Sequence, residues 1–365
     1  MLDISNTFIY TKEKTKKGGK MSEFKICLIG CGGMTKSGHG PSVRKYANEK
    51  GNENVMLAAC CDINPEAAKA AAEEFGFKRY YTDYIEMIET EKPDAVMAIT
   101  PVHLTEKISV ELLKRGIPTL LEKPPGMSRE AALRIHETAG KYSTPARVAF
   151  NRRYTPLVSE LKKEIERIGE PVLNINCLFI RAYRNDADFS TTASHGIDTV
   201  RFLAGSDYSE AKLCFVDTVG EGITVPNISV FAKLESGATA SLSFLPRGGC
   251  VIERFYVTLP EYTLFLKIPV WGGSDAPGEL LCMHDDMVYK RVSGEELVSE
   301  YTIYEANGFY QESQSFFDLL RKGERPESDV ITGVSTVELM QCIRDRKTDY
   351  KKAPSVHTIS GQRSL

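Results

Sequence analysis

Two stretches of this 365-residue chain carry side chains able to do acid–base work on a small molecule. In "TLLEKPPG", residues 119–126, an apolar run ends in Glu122 and Lys123 and is then stopped by Pro124 and Pro125. An ammonium at such a strand end can hydrogen-bond a hydroxyl and stabilise the alkoxide that develops as hydride leaves its carbon. In "STTASHGIDTVRFLAG", residues 190–205, His195 and Asp198 stand three apart, on one face of a helix. An imidazole, with an unperturbed pKa of about 6.5, suits the proton that an oxidised alcohol gives up.

A third stretch, "IGCGGMT", places Gly30 and Gly32 where a backbone can turn tightly and approach a diphosphate at a helix N-terminus. Thr35 occupies the third position of that fingerprint, usually a glycine. Asp62, at the end of the next apolar run, is placed to accept hydrogen bonds from both hydroxyls of an adenine ribose. It lies 32 residues after Gly30, and the insertion "KSGHGP" absorbs the extra length. A carboxylate there repels a 2′-phosphate, so the reading favours NAD over NADP.

These groups need a scaffold. From Phe24 onward, "FKICLIG", "VMLAACCD", "AVMAITP", "IPTLLEKP" and "RVAFNRRY" read as buried strands, with helix-like segments between them. In the alanine-rich helix "NPEAAKAAAEEFG", Pro65 suits the first turn and Gly76 the C-terminal cap; Ser128 suits the N-cap of "SREAALRIHETAG". Continuous apolar strands alternating with helices predict an α/β Rossmann domain, a doubly wound parallel sheet covered on both faces, over residues 21–151. Ligands of such sheets bind beyond the C-terminal strand ends, where Glu122 and Lys123 emerge. Residues 152–365 change texture: a charged helix at 156–168, then β-rich segments with the hairpin signal "ESGA", the histidine helix, and two late helices. This predicts an α+β domain on a large, mainly antiparallel open sheet.

Bulk properties exclude several classes. Net charge is −3, so no global field recruits nucleic acid or an anionic membrane. No apolar stretch approaches the ~20 residues of a membrane span. The nine cysteines form no CxxC pair, and Cys27, Cys31, Cys60 and Cys61 lie in or beside apolar runs; they read as thiols of a reducing, cytoplasmic compartment, with no metal site. Residues 1–20 read as an extension foreign to the fold. "KKGGKM" is what a purine-rich ribosome-binding site would spell if translated in frame, which makes Met21 the expected start, testable by intact mass.

Taken together, "GCGG" with "HGP" downstream (His39, Pro41), "DINPEAAKAAAEEFG", "TPVHL", "LLEKP", "FNRRY", "HGIDTVRFLAG" and "SFFDLLRKGERPES" resemble the glucose–fructose oxidoreductase/inositol dehydrogenase (Gfo/Idh/MocA) family, over residues 24 to about 346. The resemblance implies NAD(P)-dependent redox chemistry on sugars, polyols or their derivatives, and homo-oligomerisation, as dimer or tetramer, through the second domain. It implies that Gly30, Gly32, Gly33, Asp62, Thr100, Pro101, Glu122 and Lys123 line the cofactor. Asn151, Arg153, Thr191 and His195 would face a carbohydrate substrate, with Lys123, His195 and Asp198 catalytic. One departure stands out: the family commonly has an aspartate four residues before the histidine, where this chain has Thr191, and Ala193 replaces a common glycine. Threonine cannot stabilise an imidazolium, so Asp198, Asp186 or Asp188 must take over, or the base works with a smaller pKa shift, or the chemistry differs. Three functions fit: a dehydrogenase with net NADH formation, an enzyme that keeps NAD bound and recycles it in glycoside cleavage or epimerisation, and a ligand-binding protein without turnover.

Overall fold

Six apolar runs form one parallel sheet: β1 (Phe24–Ile29), β2 (Val55–Cys61), β3 (Arg79–Tyr81), β4 (Ala95–Ala98), β5 (Thr119–Glu122) and β6 (Ala146–Ala149). The computed structural model describes residues 23–352 apart from 187, 221, 326 and 327, so the extension at 1–20 and Met21 lie outside the described residues. Strand order is β3-β2-β1-β4-β5-β6, with every pairing parallel, and order reverses between β1 and β4. β1 shows why the runs are apolar throughout: Ile26 and Leu28 pack into one helix layer, Cys27 and Ile29 into the other.

The connecting helices are α1 (Gly40–Asn48), α2 (Pro65–Phe75), α3 (Tyr84–Glu91), α4 (Val102–Lys114) and α5 (Arg129–Lys141). Their ends follow local chemistry. Asn64 accepts the amides of Glu66 and Ala67, Gly76 closes α2 at φ +86°, and Ser128 accepts the amide of Ala131. The "KSGHGP" insertion does not loop out. Thr35–His39 forms a π-helical turn running straight into α1, which carries His39 inward.

The second sheet has nine strands: β7 (Asn174–Ile180), β8 (Tyr208–Gly220), β9 (Ile223–Leu234), β10 (Thr239–Leu245), β11 (Ile252–Leu259), β12 (Tyr262–Ile268), β13 (Glu279–His284), β14 (Met287–Ser293) and β15 (Asp349–Lys351). Their order is β14-β13-β12-β11-β7-β10-β9-β8-β15, antiparallel except for the parallel pair β7–β10. Helices α6 (Pro156–Ile168), α7 (Ser190–Ala204) and α10 (Val334–Arg344) share a core with one face of this sheet. Between them in the chain come the short α8 (Ile303–Ala306) and α9 (Phe309–Arg321). α9 returns to the first sheet, where Tyr310, Phe316 and Phe317 join the cluster of Phe24, Leu28 and Tyr46.

One expectation fails locally. "RVAFNRRY" is not one strand: β6 stops at Ala149, and Asn151–Tyr154 coil into a 3₁₀ turn.

Candidate active site

The glycine turn is built as the chemistry of a diphosphate cradle requires. Gly30 has φ +94°, and a Cβ there would collide with the Ile99 carbonyl, so only glycine fits. Gly32 and Gly33 face open space, with nothing within 4 Å of where a Cβ would stand. Thr35 is buried, and its hydroxyl donates to the Gly30 carbonyl at 2.6 Å, pinning the turn that a glycine would only permit. Asp62 also serves the turn: Oδ2 accepts the Cys31 amide at 2.7 Å and Oδ1 the Asn64 amide at 2.9 Å.

A cavity of about 340 Å³ opens over this turn, lined by Gly32, Gly33, Thr100, Pro101, Glu122 and Lys123 from the first sheet and by Thr191 from α7. The orphaned, buried Thr100 hydroxyl stands in its wall. Open glycines, an unpaired hydroxyl and a nearby ribose-type acid fit the diphosphate and ribose parts of a dinucleotide such as NAD. A larger cavity, about 500 Å³, lies at the opposite, N-terminal ends of the strands, between Phe24 and Pro118, away from these groups. Sheets of this kind bind ligands at the C-terminal ends, so the smaller cavity is the candidate.

Lys123 reaches from β5 to the second unit. Its Nζ donates to the Thr191 carbonyl, in the first turn of α7, at 3.2 Å. Burial lowers its pKa, Glu122 opposes that, and Arg152 adds to it. His195 lies one turn further along α7. Burial holds its imidazole well below the usual range, reinforced by the charges of Lys123, Arg152 and Arg181. Its Nδ1 is buried without a partner among the described residues. The depressed pKa keeps the ring neutral, and so able to accept a proton, while making it a weaker base.

The acids expected to support His195 do not. Asp198 is 1% exposed and is gripped by Arg153, through Nε at 2.7 Å and Nη2 at 2.5 Å. Thr336 donates to the same carboxylate at 3.3 Å. Asp186 pairs with Arg184, and Asp188 accepts the Ser190 amide at the start of α7. Arg153 is therefore a buried strut; it also donates to Thr332 at 2.9 Å. Asn151 is likewise buried, its amide donating to the Asn307 carbonyl at 2.8 Å. Neither Asn151 nor Arg153 lines the cavity: Asn151 is consumed in bonding to the second unit and Arg153 in bonds within it.

Sequence reasoning missed two features. Arg152 and Arg181 both hold Glu253, at the top of β11, and their charges reach His195. On the floor side, Glu122 Oε1 lies 3.6 Å from Nε2 of the fully buried His39, while Glu122 Oε2 has no partner among the described residues. Glu312, in α9, is also fully buried, with both oxygens unpaired among the described residues; burial, then the charge of Glu122, raises its carboxyl well above the usual range. The signal for Glu253 was available: it is in phase with the inward Phe255, Val257 and Leu259. Among the described residues, the one set of side chains spaced to hold a metal ion, Glu261, His284 and Asp285, sits at the end of the β12–β13 hairpin, apart from this cavity.

Comparison with known proteins agrees with this geometry. Residues 24–150 match the model of the Gfo/Idh/MocA family, described as an oxidoreductase family with an NAD-binding Rossmann fold. Inositol 2-dehydrogenase of Corynebacterium glutamicum is 30% identical over 187 residues, 48% of this chain and 55% of that protein. Levoglucosan dehydrogenase of Pseudarthrobacter phenanthrenivorans is 28% identical over 161 residues, 40% of this chain and 41% of that protein. The chain thus matches about half the length of such curated relatives. Among solved structures, an oxidoreductase domain protein from Kribbella flavida superposes with TM-score 0.78 at 18% identity, covering 91% of this chain and 99% of that one. A levoglucosan dehydrogenase in complex with NADH gives 0.74 at 20% identity, covering 90% and 99%. At these identities the structural likeness establishes the fold.

Proposed function

We propose that the chain, whose residues 24–150 match the Gfo/Idh/MocA oxidoreductase family, is an NAD-dependent dehydrogenase of a secondary alcohol on a sugar, cyclitol or glycoside ring. One observation carries this reading: Lys123 Nζ contacts the first turn of the His195 helix at the rim of the glycine-lined cavity. Gly30, Gly32, Gly33, Thr100, Pro101 and Asp62 would hold the dinucleotide, which supplies the hydride acceptor when bound. Lys123 hydrogen-bonds the substrate hydroxyl and stabilises the developing alkoxide, and His195, kept neutral by burial, accepts the proton. Glu122 balances the lysine charge. Asp62 favours NAD over NADP, because its carboxylate stands where a 2′-phosphate would be repelled. The open face of the second sheet is a surface for a second copy, giving a dimer or tetramer. No helix among the described residues is long and apolar enough to cross a membrane. The nine cysteines are free thiols, most of them buried, which suits a cytoplasmic setting.

The test is absorbance of NADH during incubation of protein and NAD with sugars, polyols and glycosides. Stoichiometric NADH growing with turnover supports the proposal. Product without NADH would instead mean recycled NAD, and neither product nor NADH would mean a binding protein.

A further inference from the structure

The wall behind His195 holds more positive charge than it neutralises. Arg152 Nε and Nη2 donate to Glu253 at 2.6 and 3.0 Å, and Arg181 Nη2 donates to the same carboxylate. These three residues are 3%, 7% and 0% exposed, so two largely buried guanidiniums share one buried carboxylate. The site is close to the base. Arg181 lies 5.2 Å from the Phe179 ring, and that ring is packed against Gly196, the residue after His195, leaving only 3.3 Å to a Cβ there.

Among the described residues, no other acid restores the balance. Asp198 is taken by Arg153, Asp186 by Arg184, and Asp188 by the α7 N-terminus. Glu122 is matched against Lys123, and residue 191 is a threonine. An unpaired buried charge costs several kcal/mol, which is tolerable where a ligand supplies the counter-charge. Donors remain for one. Arg152 Nη1 and Arg181 Nε have no acceptor among the described residues, and neither is sealed from solvent.

We propose that the substrate is an acidic carbohydrate, one whose ring or side chain carries a carboxylate, with the Arg152–Arg181 pair as its counter-charge. A guanidinium fork matches a planar carboxylate, and a surplus of one charge matches one carboxylate better than a dianionic phosphate. The idea rests on the dehydrogenase reading for the reaction, but the charge preference is a matter of binding alone.

The experiment is calorimetric titration of the full-length protein, saturated with NADH, using glucuronate and galacturonate. Each is compared with its uncharged methyl ester, its parent neutral sugar and the parent sugar 6-phosphate, at low and high salt. The acids should bind at least tenfold tighter than their esters at low salt, with the gap narrowing as salt rises. Thr191→Asp returns a carboxylate to the site and should erase most of that gap. Arg152→Gln, which leaves Arg181 and Glu253 one to one, should do the same; Thr191→Asp, at a half-buried position, keeps the test available if Arg152→Gln does not fold. Esters or neutral sugars binding as well as the acids, phosphates binding tighter than carboxylates, no acid binding below millimolar, or an unchanged gap in Thr191→Asp would each overturn the proposal. Tight acid binding with no NADH from any sugar would sink the dehydrogenase reading and leave this one standing. Neutral sugars that bind as tightly as the acids while NADH forms from both would do the reverse.

Discussion

Replacing Asp198 by alanine separates two uses of α7 that the spacing of His195 and Asp198 leaves open. The structure makes Asp198 a strut: its side chain is 1% exposed, that of Arg153 is 10% exposed, and two charge-assisted hydrogen bonds of 2.7 and 2.5 Å join them. Burial would push the Arg153 pKa down, and the charge of Asp198 more than reverses it. Truncation therefore strands a buried guanidinium, with the Thr332 hydroxyl as its remaining partner. Breaking such a pair costs about 3–5 kcal/mol. At roughly 2 °C per kcal/mol, a value for chains somewhat shorter than this one, the midpoint should fall by about 6–10 °C. The assay is a thermal melt beside a pH profile of kcat/KM, measured well below the variant's melting range. The expected variant is unstable, but what remains folded keeps the wild-type acid limb, because Asp198 does not face His195. A variant that melts with the wild type yet loses turnover, or whose acid limb moves, would refute this reasoning and return Asp198 to the chemistry.

Further outcomes follow from the same geometry. Asp62→Ala should weaken NAD at least tenfold and NADP less, by direct binding; equal losses would count against a ribose contact and leave only the Cys31 anchor. The acid limb of alcohol oxidation should lie below pH 6.5, because the His195 pKa is depressed and the neutral ring must take the proton; a limb at or above 6.5 would contradict it. Glu312 has a raised pKa, so above about pH 4.5 the unfolded chain ionises while the folded one stays protonated, and stability declines with rising pH up to the native value. Glu312→Gln removes that slope, so its melting point relative to wild type should climb between about pH 5 and pH 8. A difference that stays flat over that range would show that Glu312 carries no raised pKa.

Much of the site was legible in the sequence because its parts are local. Glycines after an apolar run, an acid ending the next run, and Glu-Lys-Pro closing a third each follow from one stretch of chain. What could not be read depends on partners far apart in sequence. Asp198 looked catalytic until Arg153, 45 residues away, was found on it. Arg152 meets Glu253 across 101 residues because "NRRY" coils after β6 instead of extending. Strands β3 and β14 were not anticipated for another reason. "RYY" and "MVYKRVS" sit at sheet edges with exposed residues, so no buried periodicity marks them. Glu312 was visible as a charge in phase with the buried Phe309, Phe316 and Leu320, but its role depends on Glu122, which belongs to a strand of the other half.

The claim beneath all of this is that Lys123 acts on the substrate hydroxyl while the glycine turn and Asp62 hold the dinucleotide. Lys123→Ala, assayed for NAD affinity and for NADH formation on the best substrate found, addresses it most directly. The account predicts turnover down by about a thousandfold, the scale of losing one oxyanion-stabilising donor, with NAD affinity within a few-fold of wild type. Turnover close to wild type would contradict it.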